Sequence, residues 1–332
     1  MHCHLYIPDF FSAEEIPLEN RLAALETLIA KGRRSRKASA SPEAWLFERF
    51  GVPKQRDWPV APYSLLADGG TPERHFWMRA DPVHLRAGNN SLILADSGAF
   101  EVSRAEAEAL VETLNRHFGE TMLFYPMHPA RWYVRLDKVT EVQTTPPAAA
   151  HGETIEGKLP SGDDAMRLHA WMNEAQMLLH EHPVNTAREA RGEPVLNSIW
   201  FWGGGIIDPV KARTFSTVIG DDPLARGLAL AAGIPHRALA NDAGSALAGL
   251  EGEGVALIVP DSPRTSAGGD FRVRCAALER DWFAPLLAAL ESRRIGMLTL
   301  HLCGADSLLE VEIVPSDLRY FWRRRKPLST YT

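Results

Sequence analysis

The sequence predicts an α/β protein: a doubly wound, mostly parallel sheet with an α+β unit inserted into it. Three observations lead there. Strand and helix patterns alternate after Gly205, as parallel βαβ construction requires. A first strand of the same core sits far upstream, at His4 to Pro8. Between them the pattern changes to strand, helix, strand, strand over residues 76 to 140. Residues 1–75 and 206–332 are therefore read as one core, and residues 76–205 as the insert.

The elements follow in order. Alternation at the N-terminus favours a strand over a metal site at His2, Cys3 and His4. Leu18, Leu22, Leu25, Leu28 and Ile29 keep helical spacing up to Lys31, where Gly32 stops them. A basic, Ser-rich stretch runs from Arg33 to Ser41. Ser41 then caps a short helix, Pro42 to Phe50, with proline at its first position. Residues 52 to 75 carry many Pro, Gly and Asp and read as loop. Phe76 to Leu85 and Ser91 to Ala95 read as strands. Ser103 and Glu106 form a capping box for an amphipathic helix ending at Phe118. Met122 to Tyr125 and Arg131 to Leu136 are strands, and Val142 to Pro160 is loop. A long helix starts at Asp163 or Asp164, carries Leu168, Trp171, Met172, Ala175, Leu178 and Leu179 on one side, and ends before Pro183. Ser198 to Trp202 is a strand that empties into Gly203-Gly204-Gly205. Beyond it, Ser216 to Ile219, Val255 to Val259 and Leu298 to Leu302 are strands. Leu224 to Ala232, Ala240 to Leu250 and Arg274 to Ser292 are the helices between and around them.

Composition excludes several classes. The apolar fraction of 45% and charged fraction of 23% fit a globular chain. A net charge of -6, with pI near 6.1, argues against a general nucleic-acid binder. The basic run Arg323 to Lys326 reads as a solvated tail behind Phe321 and Trp322. Three scattered cysteines give neither a disulfide framework nor metal spacing. No apolar run reaches the ~20 residues of a membrane helix, and the N-terminus lacks a basic n-region. The expectation is a cytoplasmic protein with no membrane partner.

One stretch concentrates chemistry. Asn185, Arg188, Arg191 and Asn197 precede the strand that leads into Gly203-Gly204-Gly205. Guanidinium forks suit phosphate or carboxylate, and glycines let backbone N–H groups approach an anion. Two readings stand: recognition of a small anion, or a tight turn with surface arginines. On the first, Arg131, Asn185, Arg188, Asn197, Gly203, Gly204 and Gly205 line a pocket between insert and core. His180 and His182, two apart, read as a cap and a packed histidine rather than a metal pair. Asp81 before Pro82 reads as a turn acceptor rather than an acid–base partner of His84.

Several of these segments carry a resemblance. They are Leu179-His-Glu-His182-Pro-Val-Asn185 with Arg188, and Asn197-Ser-Ile-Trp200-Phe-Trp202-Gly203-Gly-Gly205. Trp77-Met-Arg-Ala-Asp81-Pro-Val-His84, Arg131-Trp-Tyr and Tyr320-Phe-Trp322-Arg-Arg add to it. Together they resemble the archaeal-type, cofactor-independent phosphoglycerate mutases of the alkaline phosphatase superfamily. Within that group the chain is similar to the RpfE-type regulatory proteins. The specific part spans about 76 to 235, and the ends match in outline only.

The resemblance implies an alkaline-phosphatase-like core, two metal ions held by Asp and His, and a Ser or Thr nucleophile. Asp9 then stands at the first metal-binding strand end, and Ser41 at the nucleophile, with Pro42 in place of an Asp. Asp261 and Asp270 match metal-binding positions, but Thr265 stands where a His is expected. Cys303-Gly304 replaces an Asp-His pair. Lost imidazoles leave a two-metal site short of ligands. The sequence thus implies a mutase-like protein, catalytically degenerate and without a cofactor, binding a small anionic or phosphorylated molecule or a regulatory protein partner. The alternative is an active phosphotransferase or mutase using Mn²⁺ or Mg²⁺ on Asp9, Asp261, Asp270, Asp281 and His301.

Overall fold

The computed structural model describes residues 1–11, 21–38, 41–88, 91–95, 98–250, 254–261, 271–304 and 307–331. The chain forms two compact units. One joins Met1–Gly51 to Val210–Thr332, and the other is the continuous stretch Val52–Pro209. The units divide at 51/52 and 209/210, where the sequence reading set 75/76 and 205/206.

The first unit holds a seven-stranded sheet. Its order is His236–Arg237, Thr217–Gly220, Val255–Val259, His2–Phe11, Met297–Gly304, Ser307–Ile313 and Arg33–Ala38. The first five strands are parallel to one another and the last two pair antiparallel, so the sheet is mostly parallel, as the alternation predicts. Side chains alternate faces along each strand. Cys3, Leu5, Ile7, Leu298, Leu300, Leu302, Leu309 and Val311 share one face with the helices Ala23–Lys31 and Ala284–Glu291 in a single core. Each buried aliphatic side chain there contributes roughly 1.5–3 kcal/mol.

The other face of the same strands is polar. It carries His4 and Tyr6, then Thr299, His301 and Cys303, then Glu310 and Glu312. The helix Pro42–Phe50 lies against it. Trp45 stacks on Tyr6 at 4.0 Å between ring centres and sits 4.8 Å from His301.

The second unit is built on antiparallel strands. Phe76–Ala87 is the central strand, and it pairs with Leu92–Ala95, Arg131–Leu136 and Ser198–Gly205. Met122–His128 pairs in turn with Arg131–Leu136. The helix Arg104–Phe118 begins with the expected capping box at Ser103 and Glu106. Ala165–His180 buries Leu168, Met172, Ala175 and Leu179 of its apolar side, while Trp171 and Leu178 are half-buried.

Several elements differ from the sequence reading. Residues 52–75 contain the helix Val60–Ala67. Its Pro62 falls in the first turn, where the missing N–H costs no helical bond. Pro183 ends one helix and also starts another, Pro183–Ala190, with His182 as its cap. The basic stretch after Gly32 is an edge strand, Arg33–Ala38, exposed along its length. Of Ala240 to Leu250 only Ala243–Ala246 is helical. The strand Ser307–Ile313 has no counterpart in the sequence reading. Leu18 and Gly269 lie outside the described residues. Among the described residues no helix is long and apolar enough to cross a membrane.

Candidate functional site

In open parallel sheets, ligands meet the carboxyl ends of the strands. In the first unit those ends gather Asp9, Asp222 and Cys303. Pro8 withdraws an N–H from the ladder and Asp9 takes a left-handed conformation, φ 52°. The register with Met297–Gly304 accordingly slips between Ile7 and Phe11. Asp222 follows Thr217–Gly220 and caps the helix Pro223–Ala232 by accepting from the Ala225 N–H at 2.7 Å.

Ser41 caps the helix Pro42–Phe50, its Oγ accepting from the Ala44 N–H at 3.2 Å. Its hydroxyl is thus engaged as a cap, and it also meets the Glu43 carboxylate. Burial lifts the Glu43 carboxyl above its ordinary range. Its own backbone N–H and Ser41 oppose the rise, while the charges of Asp222 and Asp9 add to it. Ser41, Asp9, Glu43 and Asp222 therefore form one acidic neighbourhood. Beside it, burial raises the Cys303 thiol to about 11, with the Tyr6 hydroxyl facing the sulfur. A thiol so placed stays protonated at neutral pH.

A second acidic hollow, about 350 Å³, lies at the ends of Thr217–Gly220 and Val255–Val259. Asp221, Asn241, Asp261, Arg274 and Asp281 line it. Burial and the Asp221 charge raise the Asp261 carboxyl. Asp281 is paired with its neighbour Arg280 at 2.7 Å, which holds it below the ordinary range. Asp270 and Thr265 lie outside the described residues.

These donors fit a two-metal transition-ion centre poorly. Such ions favour imidazole and thiolate beside carboxylate. Asp9, Glu43, Asp222 and Asp261 offer oxygen alone. Among the described residues no three His, Cys, Asp or Glu side chains group to hold one ion. His301 is 1% exposed and lies on the polar sheet face rather than at the strand end. Its Nε2 meets His4 Nδ1 at 2.9 Å and its Nδ1 lies 3.3 Å from Glu310. His301 is thus removed from the metal set of the alternative reading by its own partners.

The proposed anion pocket also changes character. Arg188 is buried and donates to the Pro194 carbonyl at 2.7 Å, the Glu101 carbonyl at 3.0 Å and Glu106 at 3.1 Å. Arg131 grips Asp68 with two bonds of 2.9 and 2.7 Å, and the Tyr133 hydroxyl adds a third to the same carboxylate. Each guanidinium has its own carboxylate, so neither needs a ligand to offset its burial. Asn185 closes a backbone loop, donating to the Leu179 and Leu196 carbonyls and accepting from the Leu196 N–H. Asn197 does the same to the N–H and carbonyl of Leu85.

The three glycines lie inside the strand rather than after it. Gly203 and Gly205 are small because the helix Val60–Ala67 and the turn before it press on them, while Gly204 faces Met78 and Phe76 of the central strand. A Cβ on Gly203 would stand 2.8 Å from Val60 Cβ, and one on Gly205 would stand 2.5 Å from Pro59 Cβ. These glycines serve packing, not anion recognition.

Asp81 is a strand residue buried in a network, not a turn acceptor. It takes 2.7 and 2.8 Å bonds from Arg79 and a 2.7 Å bond from Trp202, while Trp132 N–H approaches at 3.3 Å. Burial nevertheless raises its carboxyl. His84 bonds the Val195 carbonyl instead. Residues from three of the quoted segments, Arg79-Ala-Asp81, Arg131-Trp-Tyr and Trp200-Phe-Trp202, thus converge in one satisfied polar core.

Sequence reasoning missed Glu43, Asp222 and Tyr6. Asp221-Asp222-Pro223 after an apolar strand was a legible helix-start signal at a strand's carboxyl end. Glu43 and Tyr6 carried none.

Comparison with known proteins sharpens the picture. Residues 71–185 match the 2,3-bisphosphoglycerate-independent phosphoglycerate mutase family. A probable 2,3-bisphosphoglycerate-independent phosphoglycerate mutase of Geobacter sulfurreducens is 30% identical over 186 residues, 53% of this chain and 45% of that protein. The corresponding mutase of Methanosarcina barkeri is 35% identical over 115 residues, 34% of this chain and 29% of that protein. The matched stretches thus span less than half the length of either relative. The PH0037 protein from Pyrococcus horikoshii has a similar fold, with a TM-score of 0.58 at 16% identity over 94% of this chain and 87% of that one. This chain is related to the cofactor-independent phosphoglycerate mutases, and the family match lies in the second unit.

Proposed function

We propose that this chain is a phosphoglycerate-mutase-like protein that has lost metal-dependent phosphoryl transfer. In this reading it serves a regulatory role of the RpfE type in the cytoplasm, binding a phosphorylated small molecule or a protein partner. One observation carries the loss of chemistry. The strand that should deliver imidazole to the metals ends in Cys303-Gly304, and the nearest histidine is locked into the sheet by His4 and Glu310. Two metals stabilise the attacking and leaving oxygens of phosphoryl transfer together. Oxygen donors alone supply a weaker and different site. Any anion bound must be met by cations other than Arg131 and Arg188, whose charges are already paired.

The second reading, an active metal-dependent mutase or phosphatase, draws on the approach of Ser41, Asp9 and Asp222 to Glu43. One experiment separates the two. The purified protein is assayed for bound Mn, Zn and Mg and for phosphoglycerate interconversion with added Mn²⁺. The expected result is no turnover above the metal-free control. Mn²⁺-dependent turnover that Ser41→Ala abolishes would establish the second reading instead.

A further inference from the structure

Two basic stretches far apart in the sequence meet on one surface of the first unit. One is the edge strand Arg33–Ala38, and the other is the segment after Tyr320. Antiparallel register puts Arg34 opposite Val311 and Arg36 opposite Leu309, so both arginines rise on the face where Tyr331 packs. The Arg34 guanidinium lies 5.2 Å from the Tyr331 ring centre, and Arg36 donates to the Tyr331 carbonyl. Arg323, Arg324 and Lys326 close the other side.

Between them run two adjoining hollows of about 400 and 440 Å³. Arg34, Arg36 and Tyr331 line the first, and Arg34, Trp322, Arg323, Arg324 and Lys326 the second. None of these five cations pairs with a carboxylate among the described residues. At the rim stand Phe321, 83% exposed, and Trp322, 61% exposed. Their rings meet each other at 5.1 Å, and Arg323 lies 4.7 Å over Tyr320.

We propose that this basic trough binds single-stranded nucleic acid. It goes beyond the function proposed above and does not depend on it. A chain of phosphates matches a row of cations that carry no counter-charge, three of whose guanidiniums, on Arg34, Arg36 and Arg323, are held by contacts of their own. Exposed aromatic rings beside such a row give bases a stacking platform that tolerates any sequence. The surface is concave, which suits a linear polyanion better than a bilayer. The net charge of -6 describes the whole chain and does not describe this face.

The test uses the full chain and a fluorescein-labelled 12-mer of oligouridylate, read by fluorescence anisotropy. Single strands release counterions with a slope of about -0.7 per phosphate neutralised, so neutralising about four phosphates predicts about 50-fold weaker binding between 50 and 200 mM NaCl. The triple variant Arg323→Ala/Arg324→Ala/Lys326→Ala should flatten that slope by at least about 1.4, the change expected when about two phosphates are no longer neutralised. Phe321→Ser/Trp322→Ser should weaken binding about fivefold or more while leaving the slope unchanged. Both variants replace exposed side chains, and a thermal melt matching the parent confirms that each is folded.

The proposal is overturned if the folded protein does not bind the oligomer at 50 mM salt, or binds it with neither variant altering the affinity. It is overturned equally if vesicles of phosphatidylcholine with phosphatidylserine, or an oligo-glutamate peptide, bind more tightly than the oligomer and lose affinity in the same variants.

Discussion

At the scale of single residues, Gly203 shows how packing can imitate a binding motif. Its φ is +63°, a conformation that costs an L side chain about 1–2 kcal/mol. Its missing Cβ also leaves room for Val60, which a methyl group would meet at 2.8 Å. Overpacking of that kind adds about 1–3 kcal/mol. Gly192 has nearly the same φ, +72°, but nothing within 4 Å of the same position. Gly203→Ala should therefore cost about 2–5 kcal/mol, and Gly192→Ala about 1–2 kcal/mol. Urea denaturation of both variants measures the difference. Equal losses would mean that the helix Val60–Ala67 does not press on the strand, and the ligand reading of the glycines would regain its footing.

At the scale of elements, the polar face of the parallel sheet sets the response to acid. His4 and His301 are both buried under the helix Pro42–Phe50, with His2, Arg49 and Glu310 as their charged neighbours. Burial first, then the nearby cationic groups, lowers the His4 pKa to about 3, and burial likewise lowers that of His301. The folded chain keeps both rings neutral. Below pH 6.5 the unfolded chain takes up protons that the folded chain refuses, so stability falls with pH from about 6.5 down toward the folded value. One such histidine removes about 2 kcal/mol between pH 6.5 and 5.

Glu310 adds to the same trend at lower pH. His301, then burial in opposition, then Lys37 set its carboxyl at about 2, and the stability it gives is lost as pH falls from 4.5 toward that value. His4→Gln keeps a donor for His301 but cannot titrate. Its denaturation free energy should fall less steeply between pH 6.5 and 5, by up to one proton's worth of slope. A parent-like slope in that variant would show that His4 is protonated in the folded protein.

Both elements were half legible. The first strand, read as His4 to Pro8, follows from alternation, and the cap at Ser41 from a serine placed before a proline-first helix. What lies opposite them does not. His301 and Glu310 stand about three hundred positions from His4, and the strand that carries Glu310 gave no sequence signal. Arg131 and Arg188 misled for the same reason. Their carboxylates, Asp68 and Glu106, are 63 and 82 positions away, so each guanidinium looked free in the sequence.

At the scale of the whole molecule, the two units differ in how the chain builds them. The first needs both ends of the sequence, and the second is one unbroken stretch, Val52–Pro209. That stretch carries its own requirements for folding. It has five mutually paired strands with the Trp77 and Tyr133 rings packed against Ala61 and Leu65. Two of its helices begin at a capping box on Ser103 and at a proline-initiated turn on Pro183. Among its described residues the buried ion pairs, Arg79 with Asp81, Arg131 with Asp68 and Arg188 with Glu106, are formed within it. A fragment that leaves no buried charge behind avoids the several kcal/mol that a broken pair would cost. Residues 52–209 expressed alone should therefore fold, with a cooperative urea transition and dispersed amide resonances in NMR. Asp68→Asn in the fragment, which removes the partner of Arg131, should destabilise it by about 3 kcal/mol or more. A fragment that melts without cooperativity would show that the match to the mutases, residues 71–185, lies in a stretch that cannot stand without the rest of the chain.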